Sequence, residues 1–248
     1  MSIDFFSKTS IFIEMKRSGA DSPIGKGTSF VICDNDRFFL ITNWHCVTGR
    51  NCETKEPINS NGIADPEILT AYFHSETLGQ WIIIDIELFT STGDKIWIEH
   101  KLGERIDVVA IPLDIKLEKF NGIFFYYIDL EKDNADLKIY PSIELSIIGF
   151  PKAYTGGGKF PIWKKGHLAS EYDIDWNGLP LVLIDATTRS GMSGSPVIIK
   201  QAGMCTFSNG GVAQGEFVKF LGIYSGRIDN DIEIGKVWKP IVIKEIIK

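Results

Sequence analysis

The sequence predicts an all-β fold with a short C-terminal helix. Runs rich in Ile, Val and Phe recur along its 248 residues and are separated by clusters of Gly, Asn and Asp, as expected for strands joined by turns. Hydrophobic residues make up 44% of the chain and aromatic residues 12%, which favours strands packed around a sizeable core.

The first part of the chain is predicted to form a strand and then a hairpin that leads to a histidine. Residues 10–14 predict the first strand, and residues 28–33 and 37–42 flank a turn of three polar residues. The apolar run continues to residue 47, so we expect a strand that delivers His45 at its end. Taken alone, His45 would more often be a half-buried structural residue.

The next segment predicts three more strands and a candidate acid. Residues 48–66 are polar and predict an irregular loop, and strands are expected at residues 68–73, 81–89 and 95–97. His74 and His100 have polar neighbours and are predicted to be solvated. Asp107 opens the apolar run 108–111, which would bury the surroundings of its carboxylate, although an aspartate at this place is often only a turn residue.

A turn-rich crossing at residues 112–136 precedes a second group of strands. These are expected at residues 145–149, 165–170, 181–184, 197–199 and 217–227. His167 would lie in this half as a structural residue. Residues 239–247 predict the terminal helix, with Pro240 in its first turn.

Residues 191–196, with the sequence Gly-Met-Ser-Gly-Ser-Pro, form a loop between two of these apolar strands. Glycines on both sides of Ser193 allow a sharp turn that exposes the hydroxyl. A serine needs a base to remove its proton, and the base needs a carboxylate to hold its tautomer. His45 and Asp107 are the candidates, and the order His, Asp, Ser along the chain is that of the chymotrypsin triad.

On these residues the chain resembles the chymotrypsin-like, or trypsin-fold, serine peptidases of the bacterial, disulfide-poor type. The matching segments are residues 25–31, 40–45, 107–113, 148–151, 191–196 and 222–226. The resemblance implies two six-stranded antiparallel β-barrels. The barrel at residues 1–120 would carry the histidine and the aspartate, and the barrel at residues 121–248 would carry the nucleophile and the specificity pocket.

The resemblance implies a serine endopeptidase that works through an acyl-enzyme. Ser193 would be the nucleophile, His45 the general base and Asp107 the residue that orients His45. The backbone amides of Gly191 and Ser193 would form the oxyanion hole. Met192 stands where activated digestive relatives carry an acid that pairs with a newly released N-terminus, so activation by removal of a propeptide is not expected.

The resemblance also implies a pocket for the substrate side chain before the cut. Its base has no aspartate, which disfavours Lys and Arg, and Thr188 corresponds to a threonine of glutamyl endopeptidases. An acidic preference aided by Arg227 is therefore one interpretation. Ser225, or Tyr224 if the correspondence shifts by one residue, matches the family serine that bonds the buried aspartate. The predicted pocket residues are Thr187, Thr188, Tyr224, Ser225, Gly226 and Arg227.

Charge and composition exclude several other classes. The net charge of -6 disfavours a nucleic-acid binder, since phosphate neutralisation needs clustered Lys and Arg. No signal peptide and no run of about 18 apolar residues is visible, so a membrane role is not expected. The four cysteines suggest no disulfide framework and, with the four histidines, show no metal-ligand spacing. We expect a cytoplasmic protein without metal or cofactor.

Two alternatives to a constitutive peptidase stay open at this level. The chain could be a catalytically idle module of the same fold that binds peptides. It could also be a latent protease effector activated by a partner protein, for instance in a bacterial defence system. The sequence does not separate the second alternative from an enzyme that is active alone.

Overall fold

The computed structural model describes residues 3–20, 22–59, 61–62, 64–229 and 231–248. Met1 and Ser2 lie outside the described residues. They are the first residues of the N-terminal segment in which no signal peptide is predicted. The helices are α1 (Phe5–Thr9), α2 (Trp44–Thr48) and α3 (Pro240–Ile247). The strands of the first half are β1 (Ser10–Lys16), β2 (Gly25–Asp34), β3 (Arg37–Thr42), β4 (Ile68–His74), β5 (Trp81–Glu87), β6 (Ile98–Glu99), β7 (Val109–Leu113) and β8 (Tyr127–Ile128).

The second half contains the remaining strands and the terminal helix. The predictions of a mostly β fold and of a short C-terminal helix are confirmed. Helices α1 and α2 and strands β8 and β14 were not predicted. The strands are β9 (Glu144–Gly149), β10 (Ile162–Leu168), β11 (Leu181–Asp185), β12 (Pro196–Thr206), β13 (Val212–Arg227) and β14 (Ile234–Trp238).

Strands β9 to β14 form a closed barrel in the order β10-β11-β14-β13-β12-β9. This arrangement confirms the six-stranded barrel predicted for the second half. Strands β12 and β13 are its longest strands, and their hairpin register runs from Pro196 opposite Ile223 to Thr206 opposite Val212. Ser193 therefore lies in the turn just before β12, a strand that is paired on both sides, with β13 and with β9.

The first half is an open sheet, so the prediction of a second closed six-stranded barrel was wrong. Its order is β5-β4-β1-β2-β3-β7-β6, with β8 added in parallel to β2. A turn at residues 90–94 separates the edge strands β5 and β6. The segment that connects them forms an isolated bridge between Phe89 and Lys95 and backbone bonds from Ile96 N to Leu88 O and from Thr90 N to Asp94 O, but it does not extend either strand. The boundary near residue 120 stays a prediction.

Aromatic contacts join the open sheet to the barrel. Phe30 of β2 meets Phe220 of β13 with ring centroids 5.6 Å apart, and Phe12 of β1 meets Phe150 at 5.1 Å. All four rings are fully buried, and burial of each contributes about 1.5–3 kcal/mol. The two halves are consequently held in a defined relative position, as a site between them requires.

His74 and His100 are both buried, so the prediction that they are solvated was wrong. His74 packs against the rings of Trp81 and Phe160, and its burial lowers the pKa of the imidazole to about 4. His100 Nε2 lies 2.6 Å from Oε2 of Glu245 on α3. Both histidines therefore contact residues that are not adjacent to them in the sequence.

All four cysteines, Cys33, Cys46, Cys52 and Cys205, are free thiols. No helix in the described ranges is both long enough and apolar enough to span a membrane. Within the same ranges, no three His, Cys, Asp or Glu side chains are grouped so that they could hold a metal ion.

Candidate active site

His45 and Asp107 form a directly bonded pair. Strand β3 ends at Thr42, and His45 lies in the short helix α2 that follows. The prediction that His45 lies at the end of the strand itself was therefore wrong. Its Nδ1 lies 2.7 Å from Oδ2 of Asp107, and its backbone N–H donates to Oδ1 at 2.9 Å. Because a carboxylate only accepts, Nδ1 carries a hydrogen and Nε2 is left as the acceptor.

The surroundings of His45 raise the pKa of its imidazole. Burial by itself lowers the pKa of the His45 imidazole and is the largest single effect, but the charge and hydrogen bond of the Asp107 carboxylate, together with the neighbouring Cys46, raise the pKa well above its ordinary value of 6.5. Asp107 is only 2% exposed, so water screens this attraction little. The imidazole is thus a stronger base than a free histidine.

Two side chains that the sequence reasoning missed bond this pair or a residue next to it in the chain. Asn43, fully buried between β3 and α2, donates from Nδ2 to the backbone oxygen of Asp107 at 2.6 Å. The carboxylate of Glu99 accepts from the indole of Trp44 at 3.2 Å and from that of Trp97 at 2.9 Å. A polar Asn inside an apolar run was a usable signal for the first residue, whereas nothing in the sequence pointed to Glu99.

Ser193 lies on a tight turn that two glycines make possible. Gly191 has φ +89° and Gly194 has φ +84°, conformations that L residues rarely adopt. At Gly194 a Cβ would lie 1.9 Å from the carbonyl oxygen of Thr28. Thr28 in turn donates its N–H to Ser193 O at 2.8 Å and its hydroxyl to Gly191 O at 2.9 Å. The open sheet therefore fixes the turn that the barrel presents.

The amides predicted to form the oxyanion hole are free of internal bonds. Lys152 N–H donates to the backbone oxygen of Ser190, the residue before this turn, at 2.6 Å. Among the described residues, the N–H groups of Gly191 and Ser193 have no acceptor, and both residues line the cleft. Two unpaired amides beside a cleft are donors of the kind that an oxyanion needs.

Met192 lies between these two residues and is fully buried. Its side chain belongs to the apolar cluster of the barrel, together with Tyr224 and Val237. It makes no ion pair there, in contrast to the acid of activated digestive relatives. An apolar anchor thus holds the turn from inside the barrel.

His45, Asp107 and Ser193 all line one open cleft of about 730 Å³ between the sheet and the barrel. The Ser193 hydroxyl has no hydrogen-bond partner among the described residues. Catalytic hydrogen bonds are often long before substrate binds, so this arrangement is compatible with proton transfer to Nε2 of His45.

Five of the six predicted pocket residues line the same cleft, and Thr187 is exposed outside it. Thr188 Oγ1 and the Tyr224 hydroxyl lie 2.5 Å apart, and burial raises the pKa of Tyr224. Ser225 Oγ is buried without a partner in the described part of the chain, so the expected bond to Asp107 is not formed. The other lining members of the set are Gly226 and Arg227.

The geometry can be compared with known proteins. The model of the trypsin-like peptidase domain matches residues 27–204 of the chain. The chain belongs to this family. It is therefore a trypsin-like peptidase, as its resemblance indicated. No curated protein sequence matches it.

The trypsin-like peptidase also resembles solved structures. The active form of Rv3671c protease from M. tuberculosis is 18% identical, with a TM-score of 0.51, and the match covers 98% of this chain and 80% of that one. An inactive form of Rv3671c protease is 15% identical, with a TM-score of 0.45, 98% coverage of this chain and 88% of that one. At such identities the likeness shows the chymotrypsin-like fold alone.

Proposed function

We propose that this trypsin-like peptidase is a serine endopeptidase with a His45, Asp107 and Ser193 triad. The observation that carries the proposal is the bonded pair of half-buried His45 and buried Asp107, which lines one cleft with a serine on a glycine-flanked turn. The pair leaves Nε2 of His45 as a base toward that cleft. The substrate would be a peptide or a protein.

In the proposed reaction, Ser193 Oγ attacks the peptide carbonyl carbon while Nε2 of His45 takes its proton. The carbonyl oxygen gains the negative charge and accepts from the amides of Gly191 and Ser193. His45 then gives the proton to the leaving amine, and an acyl-enzyme remains. Water, deprotonated by the same imidazole, releases the acid and restores the serine.

Labelling with a fluorophosphonate tests the nucleophile. We expect the purified protein to be labelled at Ser193, as mapped by mass spectrometry, because only an activated serine reacts. The Ser193→Ala variant should not be labelled. Ser195→Ala is the matched control and should keep its label, since the Ser195 hydroxyl is buried. Label at another serine, or in the Ser193→Ala variant, would contradict the assignment.

The same experiment separates the two alternatives. A catalytically idle peptide-binding module would never be labelled, and a latent effector would be labelled only after a partner from cell lysate is added. The free amides of Gly191 and Ser193 support an enzyme that is competent alone. The free thiols of all four cysteines support our proposal of a reducing, cytoplasmic compartment.

The pH dependence of activity tests the base. Because Asp107 raises the pKa of His45 and the base must be unprotonated, kcat/KM should reach half its maximum above pH 6.5. The stability that the pair contributes is fully present below pH 6.5 and is lost as the pH rises through the raised pKa. A peptide without ionisable side chains should be used as substrate. Half-maximal activity at or below pH 6.5 would contradict this prediction.

A further inference from the structure

The cleft is much more basic than the protein that surrounds it. The chain carries a net charge of -6, yet among the described residues five cationic side chains line the cleft together with a single carboxylate, Asp107. That carboxylate is already bonded to His45. Four of the cations pair with carboxylates that lie outside the cleft lining: Lys26 with Glu14, Arg189 and Arg227 with Glu233, and Lys236 with Glu53. A cleft lined by one sign of charge concentrates ligands of the opposite sign. The five cationic residues are Lys26, Lys152, Arg189, Arg227 and Lys236.

Lys236 is the most enclosed of these cations. Its side chain is 14% exposed, and it stands on β14 opposite Gly226 of β13. Its Nζ lies 2.8 Å from Oε1 of Glu53, which belongs to the loop after α2 in the other half of the molecule. The ion pair therefore links the two halves beside the cleft.

Another carboxylate could replace Glu53 as the partner of Lys236. Its side chain is 69% exposed, and it does not line the cleft, whereas Lys236 does. An ion pair with one exposed member is weakly stabilising, while an enclosed ammonium is poorly satisfied without a carboxylate. If a substrate carboxylate replaces Glu53, the Lys236 ammonium still has an anionic partner. If a neutral substrate group replaces Glu53, the ammonium loses that partner.

We propose that Lys236 selects substrates with an acidic side chain beside the scissile bond, and that Glu53 is the internal carboxylate which this side chain displaces. The proposal rests on the proposed peptidase function. It adds a specificity residue on β14 and makes Glu53 a competitor of the substrate. The other four cations of the cleft, three of which also pair with carboxylates outside its lining, add a weaker general attraction for acidic polypeptides.

Peptide binding to the Ser193→Ala variant tests the proposal independently of catalysis. Short fluorescent peptides carry Glu or Gln at one position at a time, and anisotropy gives both dissociation constants. We expect a Glu preference of about tenfold at one position, since a charged partner replaces a neutral one. In the same background, Lys236→Met should reduce this preference to about threefold or less.

Removing the competitor should have the opposite effect. Glu53→Gln should tighten binding of the Glu peptide by about threefold or more, because the substrate no longer displaces a carboxylate. Two matched variants should leave the preference unchanged. Glu56→Gln removes a charge from the same loop, and Lys239→Met removes a similarly enclosed lysine that pairs with Asp175 at 2.6 Å outside the cleft.

The outcomes are distinct. An undiminished Glu preference in Lys236→Met, or weaker binding of both peptides in Glu53→Gln, would overturn the proposal and make the pair a purely structural link. Absence of any Glu preference would overturn it as well. A Glu preference that depends on Lys236, in a protein that fluorophosphonate labels neither alone nor after cell lysate is added, would support the binding proposal while rejecting the peptidase assignment.

Discussion

Replacement of Asp107 by Asn is expected to lower kcat about 10⁴-fold near neutral pH, as loss of the orienting carboxylate does in triad enzymes. Asn can still accept from the His45 backbone N–H through its oxygen. Its amide N–H, however, would face Nδ1 of His45, which now lies 2.7 Å from a carboxylate oxygen. Nδ1 would have to accept, so Nε2 would carry the hydrogen and could not take the proton of Ser193.

The measurement is steady-state hydrolysis of one peptide by the wild type and by Asp107→Asn, with circular dichroism to verify folding. Asp114→Asn is the matched control, because Asp114 follows the same strand, β7, but is exposed. It should change kcat less than about twofold, as expected for a substitution away from the site. A loss below about tenfold in Asp107→Asn would contradict the role assigned to Asp107.

Replacement of Met192 by Ala is expected to destabilise the protein by about 2–5 kcal/mol, the usual cost of truncating a fully buried side chain to Ala. Met192 is fully buried in the apolar cluster of the barrel. The cavity would also loosen the turn that carries the free amides of Gly191 and Ser193. Small displacements at the reacting centre lower the rate strongly. At temperatures where the variant is still folded, kcat should therefore fall by about 10²-fold.

Urea unfolding gives the stability change, and peptide hydrolysis at low temperature gives kcat. Met204→Ala is the matched control, because Met204 is 70% exposed on the β12–β13 hairpin. Its stability should change by less than about 0.5 kcal/mol. Unchanged stability in Met192→Ala, or a stability loss without any fall in kcat, would show that Met192 does not anchor the turn.

Much of the fold and of the candidate site could be predicted from the sequence because the relevant signals are local. Alternating or continuous apolar runs indicated most of the strands, and Pro240 marked the start of α3. Glycines marked the turn at Ser193, since only Gly adopts such φ angles without strain. The motifs around His45, Asp107 and Ser193 were sufficient to indicate the family that the comparison then showed.

Contacts between distant segments could not be predicted in this way. Whether the first sheet closes depends on hydrogen bonds between β5 and β6, and the segment between them forms a turn with an isolated bridge in place of continuous strand pairing. His74 is predicted to be solvated from its sequence neighbours, but Trp81 and Phe160 bury it. Local periodicity carries no information on such pairings.

The sequence by itself determined the strands, the glycine turn and the chemical types of the three candidate catalytic residues, because each depends on neighbours within a few positions. Only the tertiary structure decided that Asn43 bonds the backbone of Asp107 and that Glu99 bonds the indole of Trp44, next to His45. It also decided that Glu53 forms an ion pair with Lys236 of the other half. The physical reason is that burial, charge pairing and hydrogen-bond geometry depend on residues that the folded chain brings together from far apart.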